Sequence, residues 1–162
     1  MATTIPSVLS NGSKAPEFTL DSTIGKPISL KDYADKKAVV LYFYPKADTP
    51  GCTTEACGFR DALSLYEKEG VAVLGVSPDP LDDEMKFMKK YKLTFPLLAD
   101  SEHKVCELYG VWGEKDMYGK KYWGAARTTF IIQNGKIVHI FEKVKPAEHE
   151  QEVLAWLKEN VK

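Results

Sequence analysis

The run AVVLYFY, Ala38 to Tyr44, contains no charged residue and no turn former. A strand with one solvated face would alternate apolar and polar positions, whereas a continuous apolar, aromatic and β-branched run suits a strand buried on both faces. VAVLGVS, Val71 to Ser77, is a second run of the same kind. Between them a helix is expected from about Pro50. Asp48 or Thr49 can cap it, and proline at the first helical position gives up only an N–H that has no partner there. Phe59, Leu63 and Tyr66 mark its apolar face, and Gly70 ends it.

The rest of the chain continues this alternation. EFTL and PISL flank the turn residues Ser22 to Lys26 and predict a small hairpin. A helix is expected over Leu81 to Tyr91, with Met85 and Met88 as core filler, then a short strand at Leu97 and Leu98 and a helix from Ser101 to Tyr109. TTFIIQ and KIVHIFEKV alternate across Asn134-Gly135, a strong hairpin signal. A last helix, Glu148 to Val161, should bury Val153, Trp156 and Leu157. The pattern predicts an α/β fold, with a mixed central β-sheet flanked by helices on both faces. No repeat or linker interrupts it, so a single domain over 1–162, with a polar N-terminal arm over 1–11, is expected.

Composition narrows the function classes. The chain has 162 residues, 44% of them hydrophobic and 11% aromatic, enough for a core of its own. Twenty-two Lys and Arg against 23 Asp and Glu leave a formal charge of -1, without the electrostatic footprint of a nucleic-acid binder. Lys86, Lys89, Lys90 and Lys92 read as a solvated helix face, since Asp82, Asp83 and Glu84 lie one turn earlier. The N-terminus lacks a basic segment followed by an apolar one, and no run approaches the ~18 apolar residues of a membrane span. A soluble, cytoplasmic protein with no membrane partner is expected.

Three cysteines are too few and too oddly numbered for a disulfide framework. Cys52 falls in the first turn of the helix predicted from Pro50, where unpaired N–H groups and the helix dipole favour negative charge. Placement of this kind favours a reactive thiolate. It also lies beyond the C-terminal end of the AVVLYFY strand, the edge at which open α/β sheets place their sites. Cys57 follows five residues later, which in an ideal helix separates the Cα atoms by about 8.6 Å. A disulfide needs roughly 7 Å or less. Cys57 is therefore either a packed residue or the partner of Cys52 after local unwinding, for which Gly51 and Gly58 lower the cost.

Other chemistries fit less well. A thioredoxin-type redox motif places two residues between its cysteines, and here four intervene. His103, His139 and His149 lack the paired spacing of zinc ligands and read as surface or strand histidines. A Cys–His acyl-transfer dyad would need His139 or His103 to approach Cys52 in space, which spacing alone leaves open. Cys106, in VCELYG, reads as a packed helix residue, and Arg60 beside Asp61 as a structural ion pair.

PKADTPGC carries Pro45, Thr49 and Cys52 in the pattern P-x-x-x-T-x-x-C, and GAARTTFIIQNGKIVHIF supplies Arg127 before a strand. These residues resemble the signature of the peroxiredoxins. The Cys52–Cys57 spacing, WGEK at Trp112 to Lys115 and the end VLAWLKENV resemble the bacterioferritin-comigratory, or peroxiredoxin Q, subfamily over roughly Gly12 to Val161. The resemblance implies a thioredoxin-like fold and reduction of hydrogen peroxide and organic hydroperoxides by a thiolate, with no metal, haem or other cofactor. It implies that Cys52 is the peroxidatic cysteine and Cys57 the resolving one, that Thr49 and Arg127 complete the peroxide site, and that Pro45 shields it. Thioredoxin, or glutaredoxin, is the implied reductant. The absence of a further segment after the last helix favours an intramolecular Cys52–Cys57 disulfide and a monomer.

The residues support these roles. Arg127 is one of two arginines in the chain, and its planar fork can hold both a thiolate and a peroxide oxygen. Thr49 can cap the helix and hydrogen-bond peroxide through one hydroxyl. Glu55 lies nearby without an assigned role. Two other functions remain: a protein thiol–disulfide oxidoreductase, which would share the fold without needing Arg127, and a redox-switched binding module.

Overall fold

Along β3 (Ala38–Phe43) every residue is buried, and the side chains divide between two cores. Val40 and Tyr42 join one, Val39, Leu41 and Phe43 the other, as the two-residue period of a strand requires. The computed structural model describes residues 9–161, so most of the polar arm expected over 1–11 lies outside the described residues. Besides β3 the chain forms β1 (Thr19–Ser22), β2 (Ile28–Ser29), α1 (Pro50–Lys68), β4 (Val71–Ser77), α2 (Leu81–Tyr91), β5 (Leu97–Ala99) and α3 (Lys104–Leu108). There follow β6 (Trp112–Met117), β7 (Lys120–Ala125), β8 (Thr128–Gln133), β9 (Lys136–Phe141) and α4 (His149–Asn160).

Seven strands form one sheet in the order β2-β1-β5-β4-β3-β8-β9. β3, β4 and β5 run parallel, and β8 pairs antiparallel with both β3 and β9. Phe59 and Tyr66 of α1, Phe87 of α2 and Val153 and Leu157 of α4 fill the core on one face, with Cys52 among them. Val105, Cys106 and Tyr109, from α3 and its end, pack on the other. The mixed sheet with helices on both faces is the architecture expected. No helix among the described residues is long and apolar enough to cross a membrane.

The α1 boundaries follow from its ends. Pro50 occupies the first turn, and Gly70, just beyond the helix, takes the left-handed φ of 76° that most residues resist. Asn134 and Gly135 both have positive φ, as a two-residue hairpin turn demands.

Three local expectations need correction, and one hairpin was not foreseen. The helix expected from Ser101 begins at Lys104, because Asp100 accepts the N–H groups of Val105 and Cys106 and the chain turns through His103 at φ 52°. Trp112 to Ala125 forms a separate two-stranded hairpin, β6 with β7, across Tyr118-Gly119. Glu114, Lys115, Asp116, Lys120 and Lys121 interrupt its apolar positions, so no hydrophobic alternation announces the strands. Glu84, expected on a solvated face, is fully buried. His149, expected as a surface or strand histidine, instead begins α4 and is 1% exposed; its Nε2 lies 2.8 Å from Thr129 Oγ1 and its Nδ1 2.8 Å from Glu152 Oε1. His139 lies on β9 and stacks on Trp156, and His103 is a surface residue stacked on Trp112.

Candidate active site

Sheet register brings the site together. Thr128, the first residue of β8, pairs with Phe43, the last of β3, so Arg127 emerges beside the loop that leads from β3 into α1. Cys52 lies in the first turn of that helix and is 1% exposed. It shares a helical stripe with the buried Ala56 and Phe59, which turns its sulfur toward the sheet. Arg127 Nη2 donates to Cys52 Sγ at 3.4 Å, and Nη1 donates to Glu55 Oε1 at 2.8 Å.

Gly51 makes this approach possible. A Cβ there would stand 3.1 Å from Arg127 Nη2 and 3.3 Å from Pro146 Cγ, closer than side chains ordinarily pack. The segment after β9 also holds Arg127 from behind, since Val144 N–H donates to its carbonyl.

Cys52 and Glu55 are fully buried and the Arg127 side chain nearly so, and that burial sets the electrostatics. Burial works against the charge on Arg127, but Cys52 and Glu55 outweigh it and hold the guanidinium above its ordinary range. Burial pushes Glu55 up to about 7, with Arg127 pulling it back. Glu55 Oε2 and the Tyr42 hydroxyl are buried without a hydrogen-bond partner among the described residues, and burial, with Glu55 as the next contribution, raises Tyr42 well above its usual value. Lys115, from the β6–β7 hairpin, also reaches toward the site. Burial and then Arg127 lower it while Cys52 raises it, and its ammonium donates to the Ala125 carbonyl at 2.9 Å.

Thr49 sits at the N-cap of α1, yet its hydroxyl does not cap the helix; it donates to the Lys46 carbonyl at 2.9 Å. That leaves its oxygen lone pairs free to accept. Asp48, the other expected cap, turns away at φ 60° and accepts from Lys90 Nζ at 3.0 Å and the Tyr91 hydroxyl at 2.9 Å. Lys90 is thus tied to the site loop and is not simply part of a solvated face. Pro45 is half-buried in the same loop.

Cys57 is half-buried in the intact helix and Cys106 fully buried, and all three cysteines are free thiols. Arg60 forms the expected pair with Asp61 and also donates to the Tyr91 carbonyl at 2.6 Å. Cys52 Sγ accepts from Arg127, and the hydrogen bonds of His103 and His149 go to Glu107, Thr129 and Glu152 instead. Among the described residues no group of three or more His, Cys, Asp or Glu is arranged to hold a metal ion.

Of the residues expected at the site, Cys52 and Arg127 are in direct contact, and Pro45 and Thr49 occupy the loop entering α1. Glu55 and Lys115 are additions. Glu55 could have been found as the acidic residue one turn after Cys52 on the buried stripe; nothing local marks Lys115.

A thiol held by an arginine at the C-terminal edge of a thioredoxin-like sheet is the arrangement of a thiol-chemistry enzyme, and the AhpC/TSA family profile matches residues 11–140: the chain belongs to that family. It stands with the peroxiredoxins of the bacterioferritin-comigratory, or peroxiredoxin Q, type. It is 46% identical over 153 residues to Peroxiredoxin Bcp of Escherichia coli K12, covering 94% of this chain and 97% of that one. Identity to a putative peroxiredoxin bcp of Coxiella burnetii is 52% over 147 residues, 90% of this chain and 97% of the other. A peroxiredoxin Q structure from Xanthomonas campestris superposes with a TM-score of 0.83 at 39% identity, covering 90% of this chain and 92% of that chain. The bacterioferritin comigratory protein of the same organism, described for its alkyl peroxide reduction activity, superposes at 0.87 with 36% identity, over 98% of this chain and 100% of that chain.

Proposed function

We propose that the chain is a thiol-dependent peroxidase acting on hydrogen peroxide and organic hydroperoxides, with Cys52 as nucleophile, Cys57 as resolving thiol and thioredoxin, or glutaredoxin, as reductant. The peroxidase class follows from the family. The observation that carries the finer reading is the contact of Arg127 with a Cys52 sulfur that is 1% exposed. A protein disulfide could not reach a sulfur so enclosed, whereas a peroxide of a few atoms can. This favours a peroxidase over a thiol–disulfide oxidoreductase acting on proteins.

Cys52 thiolate attacks one oxygen of the O–O bond. That bond breaks, the sulfur becomes a sulfenic acid, and the other oxygen leaves with a proton as water or an alcohol. Arg127 is placed to hold the sulfur and the oxygens on which negative charge moves. Thr49 accepts a hydrogen bond from the bound peroxide through its free lone pairs, and Pro45 keeps bulk water from the sulfur. Cys57 then condenses with the sulfenic acid, expelling water and forming the disulfide. A dithiol reduces the disulfide by exchange, its own two thiols becoming oxidised. Nothing in this cycle asks for a metal or a second subunit, and its last step suits a reducing compartment such as the cytoplasm.

Mixing reduced protein with hydrogen peroxide in a stopped-flow instrument tests the reading. Rapid formation of one sulfenate per chain is expected. Slow or absent oxidation together with reduction of insulin disulfides would instead identify an oxidoreductase acting on proteins, and a redox-switched binding module would do neither.

A further inference from the structure

Behind the loop that leads to Cys52, one hydroxyl lies between two carboxyl groups. Ser77, at the end of β4, is fully buried, and its Oγ is 2.6 Å from Asp79 Oδ2 and 2.8 Å from Glu84 Oε2. Glu84 is 0% exposed and Asp79 8%. Both carboxyls also hold the loop. The Tyr44 hydroxyl donates to Glu84 Oε1 at 2.5 Å, and the Ala47 N–H donates to Asp79 Oδ2 at 2.7 Å.

A serine hydroxyl carries one proton and can donate to one acceptor. With both carboxyls ionised, one of the two contacts to Ser77 would set lone pairs against lone pairs in a buried site. Every contact is satisfied when Glu84 keeps its proton: Glu84 Oε2 donates to Ser77 Oγ, and Ser77 donates to Asp79. Burial pushes Glu84 up to about 8, the bonds from Tyr44 and Ser77 pull it back, and Asp79 and Asp83 push it further up. The groups facing it are Tyr44 and Tyr42 of β3, Ser77 and Asp79 at the end of β4, and Asp83 on its own helix.

We propose that Glu84, Ser77 and Asp79 form a proton-bearing clamp that positions the loop Tyr44–Thr49, and hence Pro45 and Thr49, against Cys52, and that opens when Glu84 loses its proton to solvent. This rests on the peroxidase reading. In the open state two buried anions compete for a single hydroxyl proton. Asp79, the more exposed of the two, swings toward water and leaves the Ala47 N–H without its acceptor. Glu84 acts through the loop and touches no reacting atom, so it is a positioning residue.

The test compares the rate of Cys52 oxidation by hydrogen peroxide between about pH 6 and pH 9 in the full chain and in its Glu84→Gln and Ser77→Ala variants. Ionisation of the thiol raises such a rate with pH, so clamp opening has the opposite sign. We expect the wild-type rate to fall above pH 8, by up to about 10²-fold, the scale of a misplaced catalytic group, and the fall to disappear in Glu84→Gln, whose amide donates to Ser77 at every pH. Ser77→Ala should lower the rate throughout. An alkaline fall that persists unchanged in Glu84→Gln overturns the proposal.

A second readout needs no activity. In wild-type protein the Glu84 side-chain carboxyl ¹³C shift and the Ala47 amide ¹⁵N shift should titrate with one midpoint, near 8. A Glu84 already ionised at pH 6, or an Ala47 amide that ignores its titration, overturns the clamp even if both variants fail to fold. Absence of peroxide-driven sulfenate in the wild type overturns the peroxidase reading instead and leaves this titration to judge the clamp.

Discussion

Arg127 meets Cys52 and Glu55 with different nitrogens, Nη2 at 3.4 Å from the sulfur and Nη1 at 2.8 Å from the carboxylate. A lysine at this position keeps the charge but cannot make both bonds in fixed geometry. In Arg127→Lys the peroxide rate should fall by roughly 10²–10³, the usual effect of losing one preorganised donor to developing negative charge. The thiolate titration should move much less. Thiol alkylation against pH gives the titration and stopped-flow mixing the rate; a proportional change in the two would mean that Arg127 only populates the thiolate.

Cys52→Ser should consume no peroxide, and turnover surviving in that variant would remove the basis of the whole mechanism. Cys57→Ser should react once with peroxide and stop at the sulfenic acid. Mass spectrometry of the oxidised wild type should find Cys52 joined to Cys57; finding it joined to Cys106 would reassign the resolving residue.

Both cysteines lie within the unbroken α1, so the disulfide requires its first turns to open. Gly51 and Gly58 do serve close packing there, against Arg127 and against the Glu150 carboxylate. They also lower the cost of melting, because glycine is about 1 kcal/mol poorer than alanine within a helix. Amide exchange across Thr53 to Phe59 should therefore be faster in the disulfide form than in the reduced form. Equal protection in both states would rule the opening out.

The sheet and its site edge were readable because β3 and β4 are long, uncharged runs and α1 has proline at its start and glycine after its end. Cys52 stood out by its place in the first turn of the expected helix, and Arg127 through the resemblance of its surroundings to the peroxiredoxin signature; the structure brings the two into contact. What stayed hidden depends on contacts remote in sequence. Glu84 is acidic among acidic neighbours, and only a tyrosine 40 residues earlier and a serine seven earlier make its burial tolerable. His149 likewise needs Thr129, 20 residues away. In the β6–β7 hairpin charged residues stand beside exposed Tyr122 and Trp123, and among its described residues full burial is confined to Gly124 and Ala125 at one end of β7, so no two-residue period shows.

Glu55 supplies a pH test with a definite sign. Its carboxyl sits at about 7 in the folded chain against an ordinary value of 4.5, so between those values the folded state holds a proton that the unfolded state has released. Its contribution to stability is complete below about 4.5 and is lost as pH rises through about 7. Melting temperatures measured from pH 5 to pH 8 should fall more steeply in the wild type than in Glu55→Gln, by a few degrees for a domain of this size. Parallel curves would place the Glu55 titration outside this window.

Cys106 lies in the core on the face of the sheet opposite Cys52, and burial followed by Asp100 raises its thiol far above the ordinary range. The sheet thereby acts as a bulkhead between two chemical compartments of one molecule. If Cys52 is the reactive thiol proposed above, oxidant that strikes it should leave Cys106 a spectator, whose alkylation would report only that the protein had come unfolded.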